Sequence, residues 1–200
     1  MKKFSLFISV ALFFFSAVAT AHGPVRGKMT ATLLIDAPAE KVWGVISDYG
    51  DMSWHPAMAK SSADNGNNKG SIRVLTLKGG GTITEELKVY KADKMSYKYK
   101  ITDMSTVKTI KHAGQDENVP VLPVENYQAT LTVKPKGRKS LVTWVATYYR
   151  GYVNNNPPEE LNEAAADAAV TAVLTEGLVD LAQNFDTGAN SSEVKITMRR

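Results

Sequence analysis

The sequence predicts an α+β fold: a curved antiparallel sheet of about seven strands, wrapped on one long C-terminal helix. Three observations carry that prediction. Pro157 to Phe185 is long and periodic, with Leu161, Ala164, Ala165, Ala168, Ala169, Ala172, Val173, Leu178, Leu181 and Phe185 recurring at spacings of three and four. Ahead of it, alternating apolar runs are joined by short turn-type segments, among them Gly79-Gly80-Gly81. Cysteine is absent from a 200-residue chain that is 44% apolar, so disulfides and thiol chemistry are excluded and one core must hold the fold.

Residues 1–21 read as a signal peptide rather than as part of the fold. Lys2 and Lys3 form a charged start, Phe4 to Phe15 an apolar stretch, and Ala19-Thr20-Ala21 a cleavage site after Ala21. The apolar run is too short for a good membrane span, so a cleaved periplasmic protein without stable membrane insertion is expected. Cleavage would lower the formal charge from +4 to +2. That small excess, with export, argues against nucleic acid as a partner. The mature chain divides into a lead over 22–28, a single domain over 29–187 and a polar, loose tail over 188–200.

Along the chain, Met29 to Ile35 reads as strand one. Asp36-Ala37-Pro38 then opens a short helix whose buried face is Val42, Trp43, Val45, Ile46 and Tyr49. A second short helical piece, Asp51 to Met58, carries Trp54-His55-Pro56. Six strands follow: Ala57–Ala63, Ser71–Lys78, Thr82–Lys91, Met95–Thr102, Val124–Lys134 and Ser140–Arg150. Asp103 to Pro123 lacks clear periodicity and reads as a long loop or insertion. In the final helix, Pro157 and Pro158 suit a first turn and Glu159 and Glu160 complement its positive end. The middle of its apolar face is almost all alanine. Such a face lets the sheet approach closely, or leaves space beneath for something else.

The chemistry-bearing residues are few. The triple glycine is followed by a strand and no lysine-serine pair, so it reads as a hairpin rather than a phosphate loop. His22, His55 and His112 have no carboxylate or second histidine at ligand spacing, and no metal or cofactor is expected. After cleavage, His22 would carry a free α-amine beside its imidazole, a potential copper chelate, though Pro24 removes a backbone amide next to it. No nucleophile motif is present. Alternation places Val142, Trp144, Ala146 and Tyr148 on one face, with Tyr127, Ala129, Leu131 and Val133 alongside and Tyr97, Tyr99 and Ile101 on a third strand. Arg73 and Glu85 fall on paired strands. Their first reading is a surface cross-strand ion pair; the second is a polar pair inside an apolar pocket, orienting a ligand. Core filling explains Trp54, while His55 could line a pocket mouth. Lys134, Lys136, Arg138 and Lys139 crowd one turn and read as a solvated hairpin end or a surface that steers an acidic partner.

A family resemblance rests on Ile35-Asp36-Ala37-Pro38-Ala39-Glu40-Lys41-Val42-Trp43, Trp54-His55-Pro56, the Arg73 to Glu86 hairpin, Asn126-Tyr127-Gln128-Ala129-Thr130-Leu131 and Val142-Thr143-Trp144. In order and spacing these segments resemble the polyketide cyclase/START-related helix-grip superfamily, SRPBCC, over most of 29–185. The resemblance implies a sheet gripping the long helix with a ligand cavity between them. It makes Trp54, His55, Arg73, Glu85, Tyr97, Tyr99, Tyr127, Trp144, Tyr148, Ala165, Ala169 and Ala172 the cavity candidates. It supplies no catalytic motif. Within the superfamily, the leader followed by His22-Gly23-Pro24 and the Trp54-His55-Pro56 segment are similar to the MxaD-like periplasmic accessory proteins of bacterial methanol oxidation. That likeness implies a non-catalytic role between methanol dehydrogenase and its cytochrome. The alternatives are a carrier of a lipid or small hydrophobic molecule, or a cyclase- or dehydrase-type enzyme using His55 or the Arg73/Glu85 pair as acid–base groups.

Overall fold

The computed structural model describes residues 23–200; the leader and His22 lie outside them. The strands are β1 (Gly27–Ile35), β2 (Met58–Ala63), β3 (Ile72–Leu77), β4 (Thr82–Lys91), β5 (Ser96–Met104), β6 (Thr106–His112), β7 (Gln115–Pro120), β8 (Val124–Lys136), β9 (Lys139–Arg150) and β10 (Lys195–Arg199). Two α-helices, α1 (Ala39–Ile46) and α2 (Glu163–Gln183), complete the frame. Eight strands form one sheet in the order β10-β1-β9-β8-β5-β4-β3-β2, and every pairing is antiparallel. All seven expected strands are present. The other three come from the two stretches read as loop and tail.

Alternation builds the buried face. Met29, Ala31, Leu33 and Ile35 of β1 face Val142, Trp144 and Ala146 of β9 and Leu131 and Val133 of β8 across the inner side of the sheet. Register shifts in β4 between Leu87 and Val89, and in β8 between Glu125 and Gln128, bend the strands and curve that face inward. α2 lies over β1 and β9, while α1 packs on β8 and β9. The inner face of β3, β4 and β5 is left without a helix above it.

Four expectations are corrected. Asp103 to Pro123 is no loose loop: β6 and β7 pair as a separate hairpin whose turn residues, Ala113 and Gly114, both have positive φ. Its side chains are mostly exposed, so no apolar alternation marks it. The tail is not loose either, because β10 pairs with β1 from Lys28–Arg199 to Thr32–Lys195. Asp51 to Met58 forms successive turns rather than a helix, with His55 N–H donating to the Met52 carbonyl and Met58 N–H to that of His55. α2 begins at Glu163, six residues past Pro157, because Asn162 is extended and its side chain accepts from the Ala165 N–H at 2.9 Å.

The phase of α2 also differs. Its buried residues are Ala166, Val170, Leu174, Gly177, Leu178, Leu181 and Ala182, whereas Ala164, Ala168 and Ala172 are exposed. Alanine occurs all round the N-terminal half and does not choose a face. Burial of Val170, Leu174 and Leu178 does, and Asp167 fixes the rotation by accepting from the Tyr148 hydroxyl at 2.8 Å.

Candidate ligand cavity

Above β3, β4 and β5, the sheet encloses a cavity of about 350 Å3. The Met52–Met58 turns close one side, Val173 of α2 another, and Val107, Val121 and Leu122 at the base of the β6–β7 hairpin a third. The floor is Leu75, Ile83 and Ile101, with the glycine turn and Lys78 at its rim. That turn is a hairpin, as its sequence predicts. Gly81, at φ 87°, passes so close to Ser105 and Val121 that a Cβ would stand 2.5 Å from each. Few polar side chains enter: His55, Glu85, Tyr99 and Tyr127 do, beside the Trp144 indole.

His55 is fully buried and held at both ring nitrogens. Nε2 lies 3.0 Å from the Val173 carbonyl and Nδ1 accepts the Ala57 N–H at 3.2 Å, which assigns the neutral tautomer with the proton on Nε2. Burial pushes its pKa down, opposed by the bond to Val173. The ring fits because residue 177 of α2 is glycine; a Cβ there would stand 2.6 Å from His55 Cδ2 and 2.8 Å from Trp144.

Arg73 and Glu85 are direct cross-strand partners on β3 and β4, and both are buried, at 0% and 4% exposure. The surface ion pair read first is therefore corrected. The pair points inward because Arg73 shares a face with Leu75, and Glu85 with Ile83 and Leu87. Arg73 Nε and Nη2 both donate to one carboxylate oxygen, Oε2, at 2.9 and 2.5 Å, while Nη1 donates to the Tyr49 carbonyl at 2.7 Å. The guanidinium carbon sits 4.1 Å from the Tyr49 ring centroid and 5.2 Å from that of Tyr99. Burial, the largest single influence, lowers the Arg73 pKa, but the Glu85 charge together with Tyr97, Tyr49 and Tyr99 outweighs it and the guanidinium stays protonated. Burial pushes the Glu85 carboxyl up, with Arg73 pulling the other way. The Trp144 Nε1–H donates to the Tyr99 hydroxyl at 3.1 Å, and burial raises both Tyr99 and Tyr127 above the usual tyrosine range.

Of the twelve cavity candidates, His55, Glu85, Tyr99, Tyr127 and Trp144 come together on the wall. Arg73 and Tyr97 stand behind it. Trp54 is core, with its ring centroid 5.6 Å from that of Trp144. Tyr148 turns away to Asp167, Ala165 and Ala169 are half-buried on α2 and take no part in the wall, and Ala172 faces solvent. Alternation alone missed Val121 and Leu122, which follow a hairpin without a buried face. Lys134, Lys136, Arg138 and Lys139 are exposed around the β8–β9 turn, with Lys139 3.3 Å from Asp36. Among the described residues, no group of three or more His, Cys, Asp or Glu could hold a metal ion.

The family model described as polyketide cyclase / dehydrase and lipid transport matches residues 26–186. The chain belongs to that family. Among solved structures, it is similar to an uncharacterized protein from Bacillus thuringiensis at 25% identity, covering 79% of this chain and 98% of that one with a TM-score of 0.60. A Bacillus cereus protein named XoxI is likewise 25% identical over 79% of this chain and 94% of its own, with a TM-score of 0.60. Norcoclaurine synthase from Thalictrum flavum shares the fold at 15% identity, covering 94% of this chain and 99% of its own with a TM-score of 0.57. No curated protein matches the chain. A polyketide cyclase/SRPBCC-type fold, with a large antiparallel sheet and a C-terminal helix, is thus the frame of the cavity.

Proposed function

We propose that the protein is a non-catalytic binder of one small, largely apolar molecule, held over β3, β4 and β5 and flanked on one side by α2. The observation that carries this reading is the 350 Å3 cavity with a predominantly apolar wall and a few converging polar groups. The family's description, which includes lipid transport, agrees with it. Both nitrogens of His55 are engaged, and one Glu85 oxygen is held by Arg73, which speaks for positioning rather than proton transfer. Titration with n-butylbenzene, followed by the 15N–1H resonance of the Trp144 indole, tests the cavity. A saturable shift supports it. An indole signal unmoved by any apolar probe, with no ligand retained in native mass spectrometry, ends it.

The setting we propose is the periplasm, after cleavage of residues 1–21, and the role is assistance to methanol oxidation as in MxaD-like proteins. The support is the leader sequence and the Trp54-His55-Pro56 resemblance, with the exposed Lys134, Lys136, Arg138 and Lys139 as the surface offered to methanol dehydrogenase or its cytochrome. Purified protein should accelerate methanol-dependent cytochrome reduction. Failure both to do so and to bind the dehydrogenase removes this setting while leaving the cavity reading intact.

A further inference from the structure

Glu85 has two carboxylate oxygens, and the protein uses one. A side-by-side guanidinium–carboxylate pair engages both oxygens; here Arg73 places two donors on Oε2. Oε1 has no hydrogen-bond partner among the described residues. Neither is it among the described side-chain atoms that are sealed from solvent and unpaired, although the residue is only 4% exposed and forms part of the cavity wall. A buried carboxylate oxygen left open toward an apolar cavity costs free energy unless something donates to it.

Resting on the binding role above, we propose that the cavity selects a neutral hydroxyl-bearing hydrophobic molecule, a phenol or alcohol, whose O–H donates to Glu85 Oε1. Charge decides against ionic heads. The Arg73–Glu85 pair is net neutral, so a hydroxyl adds no charge to a buried site, whereas an ammonium would bury an unbalanced one. An anionic head would meet the carboxylate first. The guanidinium cannot reach it, because Arg73 lies behind Glu85 with donors committed to Oε2 and to the Tyr49 carbonyl. The apolar body would lie on Leu75, Ile83 and Ile101 toward the rim.

The test is a matched series, 4-n-butylphenol, n-butylbenzene and 4-n-butylbenzoate, titrated into the full chain and followed at the Trp144 indole resonance. The phenol should bind at least about tenfold more tightly than the hydrocarbon, and the benzoate more weakly than either, because a hydrogen bond to a charged acceptor is the stronger kind. Glu85→Gln should cut the phenol's advantage sharply, since the amide oxygen is taken by Arg73 and the N–H2 facing the cavity can donate only to the weakly accepting phenol oxygen; the wild-type series decides the question if that variant does not fold. Equal binding of phenol and hydrocarbon, or preference for the benzoate, overturns the inference and leaves the cavity reading standing. Binding by none of the three overturns both.

Discussion

The His55 ring occupies the space that a side chain at Gly177 would fill, with His55 Cδ2 2.6 Å from where that Cβ would stand. Gly177 sits inside α2, where glycine ordinarily costs a helix up to about 1 kcal/mol relative to alanine. Here the helix accepts that cost so that the ring can reach the Val173 carbonyl. Gly177→Ala should therefore lower stability by about 1–3 kcal/mol instead of raising it. Chemical denaturation gives the sign directly; a more stable variant would show that the ring has room to move.

His55 also sets a pH dependence. Its pKa in the unfolded chain is about 6.5 and burial lowers it in the fold, so the unfolded chain binds the proton more readily. The stabilisation is complete above about pH 6.5 and is lost as pH falls through the folded value, by at most about 1.4 kcal/mol per pH unit. His55→Gln keeps a donor for Val173 without the titration. Between pH 7 and 5 its urea midpoint should fall less than that of the wild type; parallel falls would assign the acid sensitivity elsewhere.

The buried ion pair should respond cooperatively. Arg73→Met or Glu85→Leu alone leaves an unpaired buried charge and should cost about 3–5 kcal/mol. The double variant should cost clearly less than the sum of the two. Additive losses would mean that the two side chains contribute independently.

Tyr49 offers the opposite sign. Its ring packs on Arg73, but its hydroxyl is buried with no hydrogen-bond partner among the described residues. Tyr49→Phe retains the ring and removes the unsatisfied group, so thermal denaturation should show equal or greater stability, by up to about 1–3 kcal/mol. A clear loss would reveal a partner for that hydroxyl.

Ending the chain after Thr187 should do more than trim a polar tail. It deletes β10, removes Met198 and Ile196 from beside their cross-strand partners Met29 and Ala31, and frees the hydrogen-bonding edge of β1. The truncated protein should melt lower and self-associate as concentration rises, visible in light scattering. A monomeric variant with unchanged melting would make β10 dispensable.

Much of this arrangement is legible in the residues. The seven strands with one buried face are marked by alternation, and their order implies the antiparallel sheet. The β6–β7 hairpin escapes because both its faces are mostly wet, and its Ala113-Gly114 turn lacks the usual asparagine or aspartate. β10 carries a signal that a polar tail disguises: Ile196 and Met198 alternate with Lys195, Thr197 and Arg199. The inward pairing of Arg73 and Glu85 is written in parity with Leu75, Ile83 and Leu87, which outweighs the habit of placing charges outside. The phase of α2 is the least legible, since alanine suits either side of a helix and the deciding contacts come from strands far away in sequence.

Both neighbours of β1 come from the other end of the chain: β9 begins at Lys139 and β10 at Lys195. As the chain is synthesised, its earliest strand has no lasting partner until more than a hundred further residues exist. Sheet closure must follow the making of nearly all the rest, which places the protein among slow folders dominated by distant pairings. Until then β1 is an apolar ribbon open to any passing strand, and protection of that ribbon during synthesis is a requirement that the topology itself imposes.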